Sequence, residues 1–217
     1  MSKPSQAGAV SLRGAGRPKA SDVEARTQDL IDAAAQLFLA NGYTRTSLES
    51  IARAARVAVR TIYVKFGGKA GLLDAVLLSR RDAFFQMRDM DHDMRPFRDV
   101  VDDFARRFYD LLCQEQSIAM QRVIIAEAAD NPELAQTFYD AGPARTRDML
   151  ERYFARPDVR AQLRPDLPFE QLPGFLTGWI SGDAMQRFVF PHKLPPRAQA
   201  HQMLAQRLDM FYRAVLR

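Results

Sequence analysis

The chain has 217 residues, a formal net charge of +5 and 47% hydrophobic residues, which suits a globular protein with a sizeable core. No stretch approaches the roughly 18 uninterrupted apolar residues of a membrane span, and the opening MSKPSQAGAVSLRGAGRPKA lacks the apolar centre of a secretion signal, so a cytoplasmic protein is expected. The lone Cys113 excludes an intrachain disulfide, and its place in an apolar helical run predicts an inert core thiol.

Charge is unevenly spread. Residues 1–69 hold eleven Lys or Arg against five Asp or Glu, a net of +6, whereas the remainder holds twenty against twenty-one, a net of −1. A basic unit joined to a neutral one is the electrostatic footprint of a nucleic-acid module attached to a second domain. Residues 1–20 are rich in Gly, Ser, Ala and Pro without periodicity and predict a disordered basic arm. Within it Gly16-Arg17-Pro18-Lys19 is similar to minor-groove-binding arms, which makes Arg17 a DNA candidate; a solvated leader is the alternative.

A helix is predicted over Asp22–Asn41, with Leu30, Ala34, Leu37 and Phe38 on one face and Gly42 as its stop. In the following TSLESIARAARVAVRTIYVKFGGK, Thr46 and Glu49 are spaced as a capping box, and Leu48, Ile51, Ala52 and Ala55 give a short helix from about Ser47 to Ala55 one buried face. A second short helix runs to Phe66 with Ile62 and Phe66 inward, leaving Arg60, Thr61, Tyr63 and Lys65 mainly on other faces. A cationic, hydroxyl-bearing face on a short helix after a tight turn suits a DNA major groove. Gly67-Gly68-Lys69 is not the end of a phosphate-binding P-loop, because the leading Gly is missing, Ala70 stands in place of Ser or Thr, and no strand precedes it.

The rest is helical. A connector is predicted over Lys69–Met90, with Leu72, Leu73, Val76, Leu77 and Phe84 inward; Asp91-His92-Asp93 reads as a solvated turn, not a metal site. Further helices are expected at Pro96–Leu112, at Gln116–Asp130, and at Pro132 to about Arg156 with a kink at Gly142-Pro143. A polar connection over 157–167 precedes two terminal helices, Pro168–Phe190 and Pro196–Arg217. His192 and His201 have no catalytic partner in the sequence, so no enzyme, catalytic residue, metal or cofactor is expected.

The residues Ala33, Leu37, Phe38, Gly42, Tyr43, Thr46, Ser47, Ile51, Ala52, Thr61, Tyr63, Phe66, Lys69, Leu72 and Leu73 jointly resemble the DNA-binding domain of the TetR family of transcriptional regulators, over roughly Asp29 to Leu73. Arg56 departs from that pattern by standing where the family usually has Gly, at a cost of about 1 kcal/mol if the turn is left-handed. Arg60 also stands where many members carry Gly. The stretch from Arg122 to Arg145 resembles the ligand-domain type of a subgroup that includes repressors of multidrug efflux.

The resemblance implies an all-α protein in three parts: the arm (1–20), a three-helix helix-turn-helix DNA-binding domain (21–68) and a helical ligand-binding and dimerisation domain (69–217). It implies a homodimer joined by its last two helices, on double-stranded operator DNA, released by a small and largely apolar effector. Val59, Arg60, Thr61 and Lys65 are the base-edge candidates; Tyr43, Thr44, Thr46, Ser47, Tyr63 and Lys69 are the phosphate candidates. Phe104, Phe108, Met120, Trp179, Met185 and Phe188 are effector-lining candidates, with Arg122, Glu127 and Asp183 as polar contacts; ordinary core packing is the alternative for each. A constitutive architectural DNA-binding protein is the competing functional reading.

Overall fold

Helix periodicity carries through to the computed structural model, which describes residues 20–84, 90–190, 193 and 195–217 and contains no strand among them. The arm with Arg17, together with His192, lies outside the described residues, as do the side chains of Phe84 and Asp183. The architecture is all-α, a helix-turn-helix unit followed by a larger helical array.

Helix α1 (Ala20–Asn41) buries Leu30, Ala34, Ala35 and Phe38 and stops at Gly42, whose φ of +83° admits a residue without Cβ at no steric cost. Helices α2 (Leu48–Ala54) and α3 (Val59–Phe66) follow, and Ile51, Ala52 and Ile62 pack inward. The cap of α2 falls one residue later than the spacing of Thr46 and Glu49 suggests. Ser47 is the N-cap and its hydroxyl accepts from the Ser50 N–H, while the Thr46 hydroxyl donates to the carbonyls of Gly42 (2.7 Å) and Leu37 (3.2 Å). Thr46 thus turns its hydroxyl back onto the end of α1, as suits a side chain that is buried and not facing solvent.

Helix α4 (Lys69–Phe84) leads away from this unit, and Met90 reappears in a short 3₁₀ turn, Met90–His92. Helices α5 (Phe97–Cys113), α6 (Glu115–Glu127), α7 (Pro132–Tyr139) and α8 (Arg145–Ala155) follow. Between α7 and α8 the expected kink at Gly142-Pro143 takes the form of a π-helical stretch, Asp140–Ala144, in which a widened turn accommodates the proline lacking an N–H. The connection at 157–167 holds a helical turn, α9 (Pro157–Arg160), and an isolated bridge between Leu163 and Leu216.

The expected helix Pro168–Phe190 is broken. A 3₁₀ turn (Phe169–Gln171) leads into α10 (Leu172–Ser181), which ends at Gly182 with φ +47° and ψ −130°; a second 3₁₀ turn and α11 (Gln186–Val189) follow. The break falls where the α12 side chain of Arg207 crosses: its Nη1 lies 1.6 Å from where a Cβ on Gly182 would stand. Helix α12 (Arg197–Val215) closes the chain, and Asp110 of α5 ties it down through Arg197 (2.6 Å) and His201 (2.7 Å).

Two apolar cores result. One joins α5, α8, α10 and α12 around Phe97, Phe104, Tyr153, Leu176 and Phe211. The other contains the helix-turn-helix core and α4 residues Leu72, Leu73 and Val76, and also draws in Met120 and Ile124 of α6 and Leu134 of α7. The helix-turn-helix unit, the head of the molecule, therefore completes its core with residues from the array behind it.

Candidate nucleic-acid interface and cavity

The two inward residues of α3 decide what faces solvent. Ile62 is fully buried and Phe66 partly so, which turns Arg60, Tyr63, Val64 and Lys65 outward; Tyr63 is 57% and Val64 74% exposed. Val59 and Thr61 are half-buried, and Val59 packs against the head's core. The Lys65 ammonium reaches back to donate to the Thr27 hydroxyl of α1 at 2.6 Å. The outward face thus brings together Arg60, Tyr63 and Lys65 and adds Val64, which the motif spacing did not single out. A strongly apolar residue on the outward side of an otherwise polar face was the available signal.

The phosphate candidates separate by environment. Thr46 is 2% exposed and bonded inward. Ser47 is exposed at the start of α2. Tyr43, Thr44 and Lys69 form one constellation with a residue far away in sequence. The Glu127 carboxylate at the end of α6 accepts from the Tyr43 N–H (2.9 Å), the Thr44 N–H (2.7 Å) and the Thr44 hydroxyl (2.6 Å). Lys69 Nζ lies 4.3 Å above the Tyr43 ring and donates to the Thr44 carbonyl at 3.2 Å.

Electrostatics follow from this packing. Burial pushes the Tyr43 phenol up to about 12, with Glu133 and Glu127 adding to it. Burial lowers Lys69, and the Glu127 charge partly restores it. Burial alone would raise Glu127, but the Thr44 hydroxyl and the two backbone N–H groups outweigh it and hold the carboxyl below the ordinary range.

A cavity of about 720 Å³ opens among α4, α5, α6, the π-helical stretch, α8 and α10. Leu77, Phe108, Leu111, Met120 and Phe138 supply apolar wall, and Ser117, Gln121, Tyr139, Thr146 and Thr177 supply polar groups. Of the expected lining residues, Phe108, Met120 and Met185 border it. Phe104 is buried beneath, stacked on Phe108 with ring centroids 5.5 Å apart. Trp179 packs against Phe211. Phe188 is buried near α6, where Arg122 donates to the carbonyls of Arg187 (3.0 Å) and Phe188 (3.3 Å). Glu127 belongs to the head constellation.

The polar lining of Ser117, Gln121 and Thr146 escaped the sequence reading, since only the fold brings α6 and α8 to one space. Cys113 is half-buried; burial pushes its thiol up, and Arg187 Nη1 lies 3.4 Å from the sulfur.

Comparison with known proteins agrees with this arrangement. Residues 30–76 match the family described as bacterial regulatory proteins, tetR family, and residues 99–214 match the AefR-like transcriptional repressor, C-terminal domain. The HTH-type transcriptional regulator SrpR of Pseudomonas putida is 42% identical over 169 residues, covering 76% of each chain. Among solved structures, the Flavonoid-responsive Regulator FrrA has a TM-score of 0.70 at 25% identity, covering 89% of this chain and 98% of its own. NalD, the secondary repressor of the MexAB-OprM multidrug efflux pump in Pseudomonas aeruginosa, has a TM-score of 0.61 at 24% identity, covering 90% and 99%, a likeness of fold.

Proposed function

Because the chain belongs to the TetR family of transcriptional regulators, we propose that it is a ligand-responsive repressor, bound as a homodimer to a near-palindromic operator and released by a small, largely apolar molecule. The observation that carries the ligand response is shared helices. Met120 of α6 borders the cavity and belongs to the core of the reading head, and Glu127, two turns further along α6, grips the turn between α1 and α2. Leu134 and Phe138 place α7 in the same double position. A molecule that displaces α6 or α7 from within the cavity displaces the head.

On this reading Arg60, Thr61, Lys65 and Val64 address base edges, and Tyr63, Thr44, Ser47 and Lys69 address phosphates. Residues 21–68 act as the reading unit and 69–217 as the sensing and dimerising unit. Phe175, Met203 and Met210 leave an exposed apolar face on α10 and α12 that a second copy would cover, and a two-fold dimer presents two copies of α3 to two half-sites. An apolar wall with scattered hydroxyls suits a largely apolar effector with a few hydrogen-bonding groups; the likeness to a flavonoid-responsive regulator is in keeping with that chemistry. A thousandfold release needs about 4 kcal/mol of differential binding between the two head arrangements. An effector bound equally to both would release nothing.

The test is binding of the purified protein to its own upstream intergenic DNA and to a scrambled duplex, at one near-physiological salt concentration. A preference of about a hundredfold or more, with a protected near-palindrome lost in Arg60→Ala and Tyr63→Ala, is the expected result. Equal binding to both duplexes, followed by genome-wide selection without a preferred sequence, would replace this reading with an architectural one.

A further inference from the structure

The turn between α2 and α3 is closed by two backbone bonds, Arg56 N–H to the Arg53 carbonyl (3.2 Å) and Val57 N–H to the Ala52 carbonyl (2.9 Å). That is the Schellman pattern, which requires a left-handed residue just past the helix and favours glycine there, because a Cβ crowds the following carbonyl. Arg56 occupies that position with φ +55°, the sole non-glycine residue of positive φ among the described residues. A turn that needed only to turn would be served better by glycine, so the side chain is where a reason for arginine is to be sought.

The Arg56 side chain is exposed and has no hydrogen bond, ion pair or ring contact with any described residue, and the same holds for Arg53 at the end of α2 and Arg60 at the start of α3. In the array behind the head, arginines commonly meet carboxylates, as in Arg95–Asp93, Arg107–Asp103, Arg156–Asp158 and Arg197–Asp110. The head therefore carries arginines left without anions on both sides of its helix-to-helix turn. We propose that Arg56, with Arg53 beside it, holds DNA backbone phosphates at the edge of the surface that α3 presents, an additional clamp across the turn. The inference rests on the DNA-reading role proposed above. The planar guanidinium suits a phosphate in two-bond geometry, and such a contact adds affinity without selecting sequence.

The experiment compares full-length wild type, Arg56→Gly, Arg56→Lys and Arg60→Ala on operator and on random duplex over a series of salt concentrations, with melting temperatures in parallel. Arg56→Gly relieves the left-handed backbone and is expected to raise the melting temperature by about 2–4 °C. It is expected to weaken binding on the order of tenfold on both duplexes and to make the salt slope shallower by about 2 for a dimer with two heads. Arg56→Lys keeps the charge and the slope. Wild-type affinity and slope in Arg56→Gly would overturn the clamp, as would weaker binding accompanied by a lower melting temperature, since the turn and not the charge would then be at fault. Because phosphate contacts act on random DNA as well, the slope difference tests the clamp even if wild type shows no operator preference, an outcome that would overturn the operator reading instead.

Discussion

Single side chains in the head divide between interior and surface in ways that their type alone does not reveal. Thr46 and Thr44 are both hydroxyls near the end of α1, yet Thr46 closes the end of that helix from inside while Thr44 is exposed and held by Glu127. Val64 is the reverse case, a β-branched apolar residue 74% exposed on α3. Such a methyl pair suits the thymine methyl group in the major groove. Replacing Val64 by Asn should leave the melting temperature within about 1 °C, since the residue is outside the core, and shift base preference at one position of each half-site in a randomised-site selection.

Glu127 makes a prediction with a definite pH sign. Its folded value is held below the ordinary one of 4.5, so its contribution to stability is present above that value and is lost as pH falls through the folded value. Glu127→Gln should therefore melt below wild type at pH 7, by an amount corresponding to about 1–2 kcal/mol for the weakened set of charge-assisted bonds. The gap should close in acid, below the folded value, when melting is followed from pH 7 to pH 3.

At the scale of elements, short-range signals located helices well and interruptions poorly. The periodicity of α1 and the run Ile51, Ala52 and Ile62 were legible because each buried face belongs to its own helix. The break at Gly182 was not, because its companion is Arg207, twenty-five residues later on another helix. Gly182→Ala is expected to destabilise the protein by about 1–3 kcal/mol, mainly because φ +47° with ψ −130° lies outside the wells open to a residue with Cβ. Chemical denaturation would measure it, and an unchanged midpoint would mean that the chain regularises there without loss. Conversely, Gly142-Pro143 marks the place of the kink, while the π-helical form it takes depends on how α7 and α8 both continue into packed cores.

At the scale of the whole molecule, the second core ties head and array together. Met120, Ile124 and Leu134 complete a core whose other members come from residues 30–62 and from Leu72, Leu73 and Val76 of α4, so part of the head's stability is supplied from behind it. On α10 and α12, Phe175, Met203 and Met210 stay exposed in one copy. Met210→Arg should leave the helical signal and melting of the monomer intact, halve the mass measured by sedimentation, and weaken operator binding by at least tenfold as two half-sites lose their linkage. A dimer of unchanged stability would place the subunit interface elsewhere.

By itself the amino-acid sequence determined the helical character of the chain, its basic N-terminal region, and, of the expected outward residues Arg60, Thr61, Tyr63 and Lys65, the exposure of all but the half-buried Thr61. Each of these rests on spacing within a few residues or on summed charge, and both are properties of the chain before it folds. Tertiary structure alone decided that Glu127 grips Tyr43 and Thr44, that Thr46 turns inward, and that Ser117, Gln121 and Thr146 share a cavity with Phe108. Thr46 finds its partners only nine and four residues back, and the packed turn aims it at them; the Glu127 bonds span 84 and 83 residues and the cavity joins separate helices, which no local periodicity encodes. They exist because closing the two apolar cores leaves α6 in one position, and the polar groups at its end take the partners found there.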